Sequence, residues 1–344
     1  MIKNIEIHNF RGIKEAKIND FGRINVFFGK NNCGKSSLLE ALFLATGISN
    51  PILPISINSL RGYSRTKFED LASDFYNQET SHPILLKAQT DTESREVEIS
   101  LFQSNSKKVN LEEVTGSSNT IADSFYGIRQ EFRLNGSPFH SELIIPEDEK
   151  NQAKVNIDQR YQEPLVAEYI PSNYPMVDYS KHLERLFANK QETLVLKTLR
   201  EIDSRIQGIT LVGQQLMVDI GRECRYPINL MGDGMRKLVA LLANLYVRKG
   251  GVILIDEIDN GFHYSVMPIL WKSIIDAAIT NDIQIFATTH NMDSLKGLNR
   301  ASKDMSFSDL SLYKLIGKQE GILAAIRYNT EQFSFTIEQE LELR

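Results

Sequence analysis

The run Gly29-Lys30-Asn31-Asn32-Cys33-Gly34-Lys35-Ser36 fits the spacing G-x-x-x-x-G-K-[ST], which suits the binding of a polyphosphate. Gly29 and Gly34 let successive backbone N–H groups turn inward, and a helix beginning just beyond them adds the positive end of its dipole. Lys35 is then placed to reach the outer phosphates, and the Ser36 hydroxyl to ligate Mg²⁺. Ser37 ends the nucleotide-contacting stretch as a helix-start residue without a ligand role of its own. Cys33 fills a free position as a spectator.

A second group lies near the other end of the chain. Gly250-Gly251-Val252-Ile253-Leu254-Ile255 is an apolar strand closed by Asp256 and Glu257, the pattern of a parallel strand buried on both faces. Its carboxyl end is where open α/β sheets bind ligands. Asp256 is then the Mg²⁺ partner, through water, and Glu257 is positioned to accept a proton from an attacking water. His290 follows another buried run, Ile283 to Thr289. A lone histidine after a strand is more often structural, but this edge is where a donor to a γ-phosphate and its water would sit.

The flanking elements suit these roles. Ile24 to Phe28 reads as a strand entering the loop, and Leu38, Leu39, Ala41, Leu42 and Phe43 recur at helical spacing until Gly47. Asp256-Glu257 followed by Ile258-Asp259-Asn260-Gly261-Phe262-His263, Thr288-Thr289-His290 one helix and one strand later, and Asn9-Phe10-Arg11-Gly12 near the start resemble the ABC-type ATPases of the SMC, RecF and OLD group. The resemblance covers residues 1–47 and 225–295 well and the middle poorly.

What the resemblance implies is an α/β P-loop NTPase head of the ABC type, with a mixed or parallel central sheet, an antiparallel β lobe and a short helical insertion. ATP and Mg²⁺ would be its ligands, and two copies would close around two sandwiched ATP molecules. A trans contact would come from Leu230-Met231-Gly232-Asp233-Gly234-Met235, with Gly232 in the serine place and Gly234 a phosphate neighbour. Asp233 departs from the pattern by setting a carboxylate there unless it caps the helix backbone. An ordinary Asp-Gly turn before a core helix is the alternative. The resemblance also assigns Asp259 to the segment crossing the dimer axis and Arg11 to a phosphate or adenine contact.

Because Lys35 and Asp256 serve one site from opposite ends of the sequence, residues 1–344 are expected to form a single head. Within it, 1–50 carry the N-terminal strands and phosphate loop, 51–165 an inserted β-rich lobe of short strands and polar loops, 166–224 a helical insertion with return strands, and 225–344 the remaining motifs. In the lobe, Pro83 to Ala88, Arg95 to Leu101 and Gln130 to Leu134 before Asn135-Gly136 read as strands and hairpins, and Gln103 to Lys108 and Glu147 to Lys154 as exposed loops. Two helices are expected between Asp178 and Gln207. Two strands, at Leu312 to Leu315 and Leu323 to Arg327, and a terminal helix to Arg344 close the chain.

Composition bounds the partners. Lysine and arginine total 39 against 44 acids, a net charge of −5, which argues against a protein dominated by phosphate-backbone contacts while leaving DNA possible. Two cysteines give no disulfide or metal framework, so a cytoplasmic setting is expected. No apolar run approaches the roughly 18 residues of a membrane span. No heptad run indicates long coiled-coil arms, and about 50 residues after His290 leave no room for the metal-dependent nuclease domain of OLD proteins. The expected activity is an ATP-switched dimerising head acting on a separately encoded nuclease or toxin, in bacterial anti-phage defence. A RecF-like DNA clamp and an ATP-binding scaffold with negligible turnover are the alternatives.

Overall fold

The computed structural model describes residues 1–62, 67–104, 125–147, 152–172 and 179–339. The chain opens with the hairpin β1 (Ile2–Phe10) and β2 (Ile13–Ile18), then β3 (Ile24–Phe28) and helix α1 (Lys35–Thr46). Two short helices, α2 (Leu53–Leu60) and α3 (Phe68–Ala72), lead into β4 (Ile84–Thr90), β5 (Ser94–Ser104), β6 (Phe125–Leu134), β7 (Ser137–Pro146), β8 (Lys154–Ile157) and β9 (Ala167–Ile170). Helices α4 (Tyr179–Ala188) and α5 (Glu192–Ile202) precede a small sheet of β10 (Gly208–Val212), β11 (Gln215–Asp219) and β12 (Tyr226–Pro227). The last third alternates α6 (Asp233–Val247), β13 (Val252–Ile255), α7 (Met267–Thr280), β14 (Gln284–Thr289) and α8 (Met292–Asp304), then closes with β15 (Leu310–Gly317), β16 (Ile322–Tyr328) and α9 (Thr330–Glu338).

Among the described residues one mixed sheet of 13 strands runs β8-β7-β6-β5-β4-β1-β2-β16-β15-β3-β14-β13-β9. The five strands from β15 to β9 are mutually parallel, and the wing from β2 to β8 is antiparallel throughout. The fold is therefore α/β with a large mixed sheet, as the motifs required. The lobe differs from expectation in one respect: β4 pairs directly with β1, so the lobe continues the nucleotide sheet without a break.

Burial explains the unbroken apolar runs of β3, β13 and β14. On one face Val26, Ile253, Ile255, Ile285 and Leu312 pack against α5 to α8, with Trp271 at the centre. On the other, Phe27, Val252, Leu254, Phe286 and Tyr313 pack against α1 and the lobe. Both faces are covered, so neither residue parity along these strands can be polar. Asn25, Gln284, Thr288 and Thr289 are the buried polar exceptions, and the Gln284 side chain accepts from the Ile2 N–H at 2.7 Å and donates to the Ile2 carbonyl at 2.8 Å, tying the first strand to β14.

Three local expectations need correction. Residues 53–60 and 68–72 are helical where short strands and loops were expected; α2 carries Pro54 in its first turn, where the missing N–H costs nothing. Gln103 and Ser104 extend β5, and Lys154 begins β8; the rest of those two expected loops lies partly outside the described residues. The final helix is described only to Glu338, and residues 340–344 lie outside. The Asn135-Gly136 turn, with φ of 49° and 82°, joins β6 to β7 as a type I′ hairpin. No helix among the described residues is long and apolar enough to cross a membrane.

Arg95 ties the lobe to α1. Its fully buried guanidinium donates to the last carbonyls of that helix, Ala45 at 3.3 Å and Thr46 at 3.0 Å, and pairs with Glu93 and Glu163. Burial opposes its charge, but its partners together, Glu163 foremost with Tyr161 and Glu93, outweigh burial and raise the pKa. Replacing Arg95 with Met strands two carboxylates and the helix end, so we expect a loss of about 3–5 kcal/mol in urea unfolding.

Candidate active site

Three neighbouring parallel strands bring the candidate residues to one edge. The phosphate loop follows β3, His290 follows β14, and Asp256-Glu257 follow β13, with β14 in the middle of the three. Gly29, at φ 151°, starts the loop against β15: a Cβ there would lie 2.7 Å from the Leu315 carbonyl oxygen. Lys30, Asn31 and Asn32 are exposed, while Cys33, Gly34, Ser36 and Ser37 are partly covered. Lys35 is buried and its ammonium donates to the carbonyls of Gly29 at 3.0 Å and Lys30 at 2.9 Å, so the amine is already held inside the loop.

Asp256 is the hub. Ser36 Oγ, 220 positions away in sequence, donates to its Oδ1 at 3.1 Å, Thr288 Oγ1 donates to the same oxygen at 2.5 Å, and the Tyr169 hydroxyl reaches Oδ2 at 3.4 Å. Thr288 Oγ1 in turn accepts the Glu257 N–H at 2.8 Å. Glu257 sits at φ 47°, a left-handed conformation that costs of order 1–3 kcal/mol for a residue with a side chain. The hydroxyl and the Ile258 N–H to Thr288 carbonyl bond, 3.0 Å, hold it there. Burial, then the Asp256 charge, push the Tyr169 phenol far above its ordinary pKa, so it remains a donor. Ser36, Glu40, Arg61, Tyr169, Asp256 and Glu257 border a cavity of about 460 Å³.

The donors suit Mg²⁺. Among the described residues no three His, Cys, Asp or Glu side chains converge into a metal cage. Ser36 and Asp256 instead offer one hydroxyl and one carboxylate oxygen side by side, the sparse hard-oxygen set that magnesium uses together with waters and substrate phosphates.

The family described as "AAA domain, putative AbiEii toxin, Type IV TA system" matches residues 24–295, which include the loop, the hub and His290. The chain belongs to that family. It is similar to an ATP/GTP phosphatase of Helicobacter pylori, 25% identical over the full length of both chains. A stretch covering 18% of this chain and 16% of the other is 30% identical to the replication and repair protein RecF of Bacteroides fragilis. A crystal structure of an SMC head bound to the C-winged helix domain of ScpA matches with a TM-score of 0.51 at 12% identity, covering 95% of this chain and 97% of that one, which shows the fold. The chain is thus a member of an AAA family and shares the fold of an SMC head.

Sequence reasoning on this AAA-family head missed the residues behind the loop. Glu40, one turn beyond Ser36 on α1, is buried and pairs with Arg11 and with Arg61, the latter at 2.7 Å. Arg11 also donates to Asn58 at 2.8 Å and Asp74 at 3.1 Å. Burial pushes Asp74 up to about 6 against the pull of Arg11. The guanidinium assigned by resemblance to phosphate or adenine is therefore spent within the protein, although Arg11 still borders the cleft beside the loop. The one legible signal was the i, i+4 spacing of Ser36 and Glu40. Tyr169, Asn58 and Asp74 gave none.

The remaining candidates sit as follows. Gly232, at φ 95°, caps α6 and is exposed; Asp233 begins the helix without capping it and pairs with Arg236 at 3.0 Å. Gly234 approaches Gly261 so closely that its Cβ would lie 3.1 Å from the Gly261 carbonyl. Asp259 is buried and accepts the Thr289 hydroxyl, so its side chain points inward to the base of the His290 turn. His290 itself is exposed.

Thr288 couples the two carboxylates, which yields a specific expectation. Thr288→Val keeps the shape but removes the hydroxyl shared by Asp256 and the Glu257 N–H. Stability should fall by about 1–3 kcal/mol, and phosphate release should fall more than nucleotide affinity, as compared by a colorimetric phosphate assay and titration calorimetry.

Proposed function

We propose that this ATPase head binds Mg²⁺ and a nucleoside triphosphate at the Gly29 to Ser36 loop and hydrolyses it with Glu257 as general base. The observation that carries this is the hub itself: Ser36, Asp256, Thr288 and Glu257 joined by direct hydrogen bonds across three strands. Full-length similarity to a protein named as an ATP/GTP phosphatase supports it.

The loop amides and the α1 N-terminus receive the phosphates, and Lys35 exchanges its loop carbonyls for outer phosphate oxygens. Ser36 and Asp256 would hold Mg²⁺, which supplies charge neutralisation on the β- and γ-phosphates. Glu257 accepts a proton from water as the water oxygen bonds to the γ-phosphorus and the bridging oxygen departs with the diphosphate. His290, exposed at the end of β14, donates to the γ-phosphate. Tyr169 and Thr288 do not touch the reacting atoms; they hold Asp256 in place.

The output is conformational. Leu230 is 72% exposed and Gly232 and Asp233 are open to solvent, which leaves the segment before α6 free to reach the loop of a second copy. In this reading ATP closes a dimer, hydrolysis opens it, and a separately encoded nuclease or toxin reads the state, in defence against phage. The family description, which names a toxin and a toxin–antitoxin system, supports that setting. The lobe surface favours a protein partner over a nucleic-acid clamp. Lys17, Glu6, Lys87, Glu96 and Arg133 stand in register across β2, β1, β4, β5 and β6, alternating in sign, so phosphates find no continuous basic track there.

Glu257→Gln should lower phosphate release by about 10² to 10⁴ while nucleotide binding survives. Light scattering with ATP should then find a persistent dimer. Turnover at the wild-type rate would remove Glu257 from the role of base.

A further inference from the structure

The 13-stranded sheet has two terminal strands, and the fold treats them differently. At one end β9 is held to the helical side of the molecule, its Glu168 bound by Arg248 from the end of α6. At the other end β8 pairs with β7, and among the described residues no strand pairs with its far side. All of its residues are exposed. Directly paired residues share a face, so Val155 continues the inner row of Ile128 and Leu143, and Ile157 stands beside Ser141. Ile128 and Leu143 are 0% and 3% exposed, whereas Val155 and Ile157 are 40% and 41% exposed, so the apolar inner face of the lobe runs out at an open strand.

The Asn135-Gly136 hairpin fixes which backbone groups of β8 are free. In a two-residue type I′ loop the flanking residues, here Leu134 and Ser137, exchange both hydrogen bonds, and the direction then alternates along each strand. Counted across β7, Glu142 and Ile144 face β8, and Asn156 and Lys154 answer them. The N–H and C=O groups of Val155 and Ile157 therefore point away from the sheet. The Asp158 N–H, directed back to Ser141 Oγ at 3.5 Å, shares the parity of Asn156. The outward Ile157 carbonyl is met by the exposed Gln159 side-chain amide at 3.4 Å, a long contact that an incoming strand displaces. An edge of this kind is a template for another strand, and natural edges are commonly blunted by a lysine.

Here the lysine does not block a copy of the same strand. We propose that β8 pairs antiparallel with β8 of a second copy, about a twofold axis that stands normal to the sheet at Asn156. Inner face then lies beside inner face, and the contact is self-complementary. Val155 of one copy falls opposite Ile157 of the other, and each such pair exchanges the outward hydrogen bonds of both residues. Lys154 falls opposite Asp158, so the charge that would guard the edge meets a carboxylate. An axis one residue earlier sets Ile157 against Ala153, and one residue later sets Val155 against Gln159. The Asn156 axis alone puts the two large apolar residues against each other. The pairing needs no nucleotide and does not rest on the triphosphate reading. It lies at the opposite end of the sheet from β13, so heads that use both this edge and an ATP-closed face build a ring or a chain in place of a lone pair.

Sedimentation velocity of the nucleotide-free full chain over a concentration series tests the pairing. The wild type should show a reversible monomer–dimer equilibrium. Val155→Pro removes an outward N–H from each copy and leaves the bonds to β7, so it should weaken the dimer about tenfold or more. A wild type that stays monomeric, or a Val155→Pro dimer as strong as the wild type's, overturns the proposal. Should Val155→Pro fail to fold, single cysteines in a Cys33→Ser, Cys224→Ser background decide. Asn156→Cys sets two thiols across a non-hydrogen-bonded pair, where Cα atoms lie about 4.5 Å apart, within disulfide reach. Under mild oxidation it should cross-link faster than Lys154→Cys or Val155→Cys; no cross-link, or one no faster at Asn156 than at its neighbours, refutes the pairing. Lys35→Ala separates the two associations. It should abolish any dimer that needs ATP and leave the nucleotide-free dimer unchanged, whereas loss of the latter would assign it to the loop face and overturn the β8 contact.

Discussion

A single carboxylate organises the candidate active site. Asp256 collects hydroxyls from Ser36, Thr288 and Tyr169, which belong to α1, β14 and β9, so one side chain fixes the relative positions of three elements. Backbone pairing holds β3 and β13 on either side of β14 and so sets the strand ends two strand spacings apart, but it does not aim the side chains that follow them. The Ser36 hydroxyl spans from the loop to Asp256, and the Thr288 hydroxyl on the intervening strand fixes Asp256 and, by accepting the Glu257 N–H, the backbone of the neighbouring carboxylate. Partly buried charge-assisted hydrogen bonds are short and directional, so the arrangement is as much geometric as energetic.

Much of this was legible in the sequence, for physical reasons that differ by element. The strands β3, β13 and β14 are covered on both faces, so their apolar runs were unmistakable and the motif residues at their ends followed. Helices α4 and α5 emerged from apolar spacing around the break at Asn189 to Gln191. The hairpin at Asn135-Gly136 followed from turn chemistry. The helices α2 and α3 did not emerge, being too short for periodicity to outweigh their polar composition. Nor did the network of Arg11, Glu40, Asn58, Asp74 and Arg61, since the contacts join segments whose approach depends on tertiary packing.

The segment before α6 shows where a motif-level expectation and a local structure diverge. A carboxylate in a glycine place raises the question of charge near phosphate, and the helix answers it by pairing Asp233 with Arg236 on the following turn. The side chain neither caps the backbone nor faces the hub. Gly234 matters through a different property: without a Cβ it lets α6 rest close against the Gly261 carbonyl, in the stretch that follows Glu257, where a Cβ would sit at a tight 3.1 Å. Similarly, Asp259 turns inward to Thr289, binding the loops after β13 and β14 to each other.

Helix α1 is gripped at both ends by different parts of the molecule. Its first residues, Lys35 and Ser36, belong to the phosphate loop and the hub, and its last carbonyls are seized by Arg95 from the lobe. Twelve residues make a stiff rod about 18 Å long. The same helix thus joins the lobe to the phosphate loop, and the two ends cannot shift independently without breaking either the Arg95 bonds to its last carbonyls or the bond from Ser36 to Asp256.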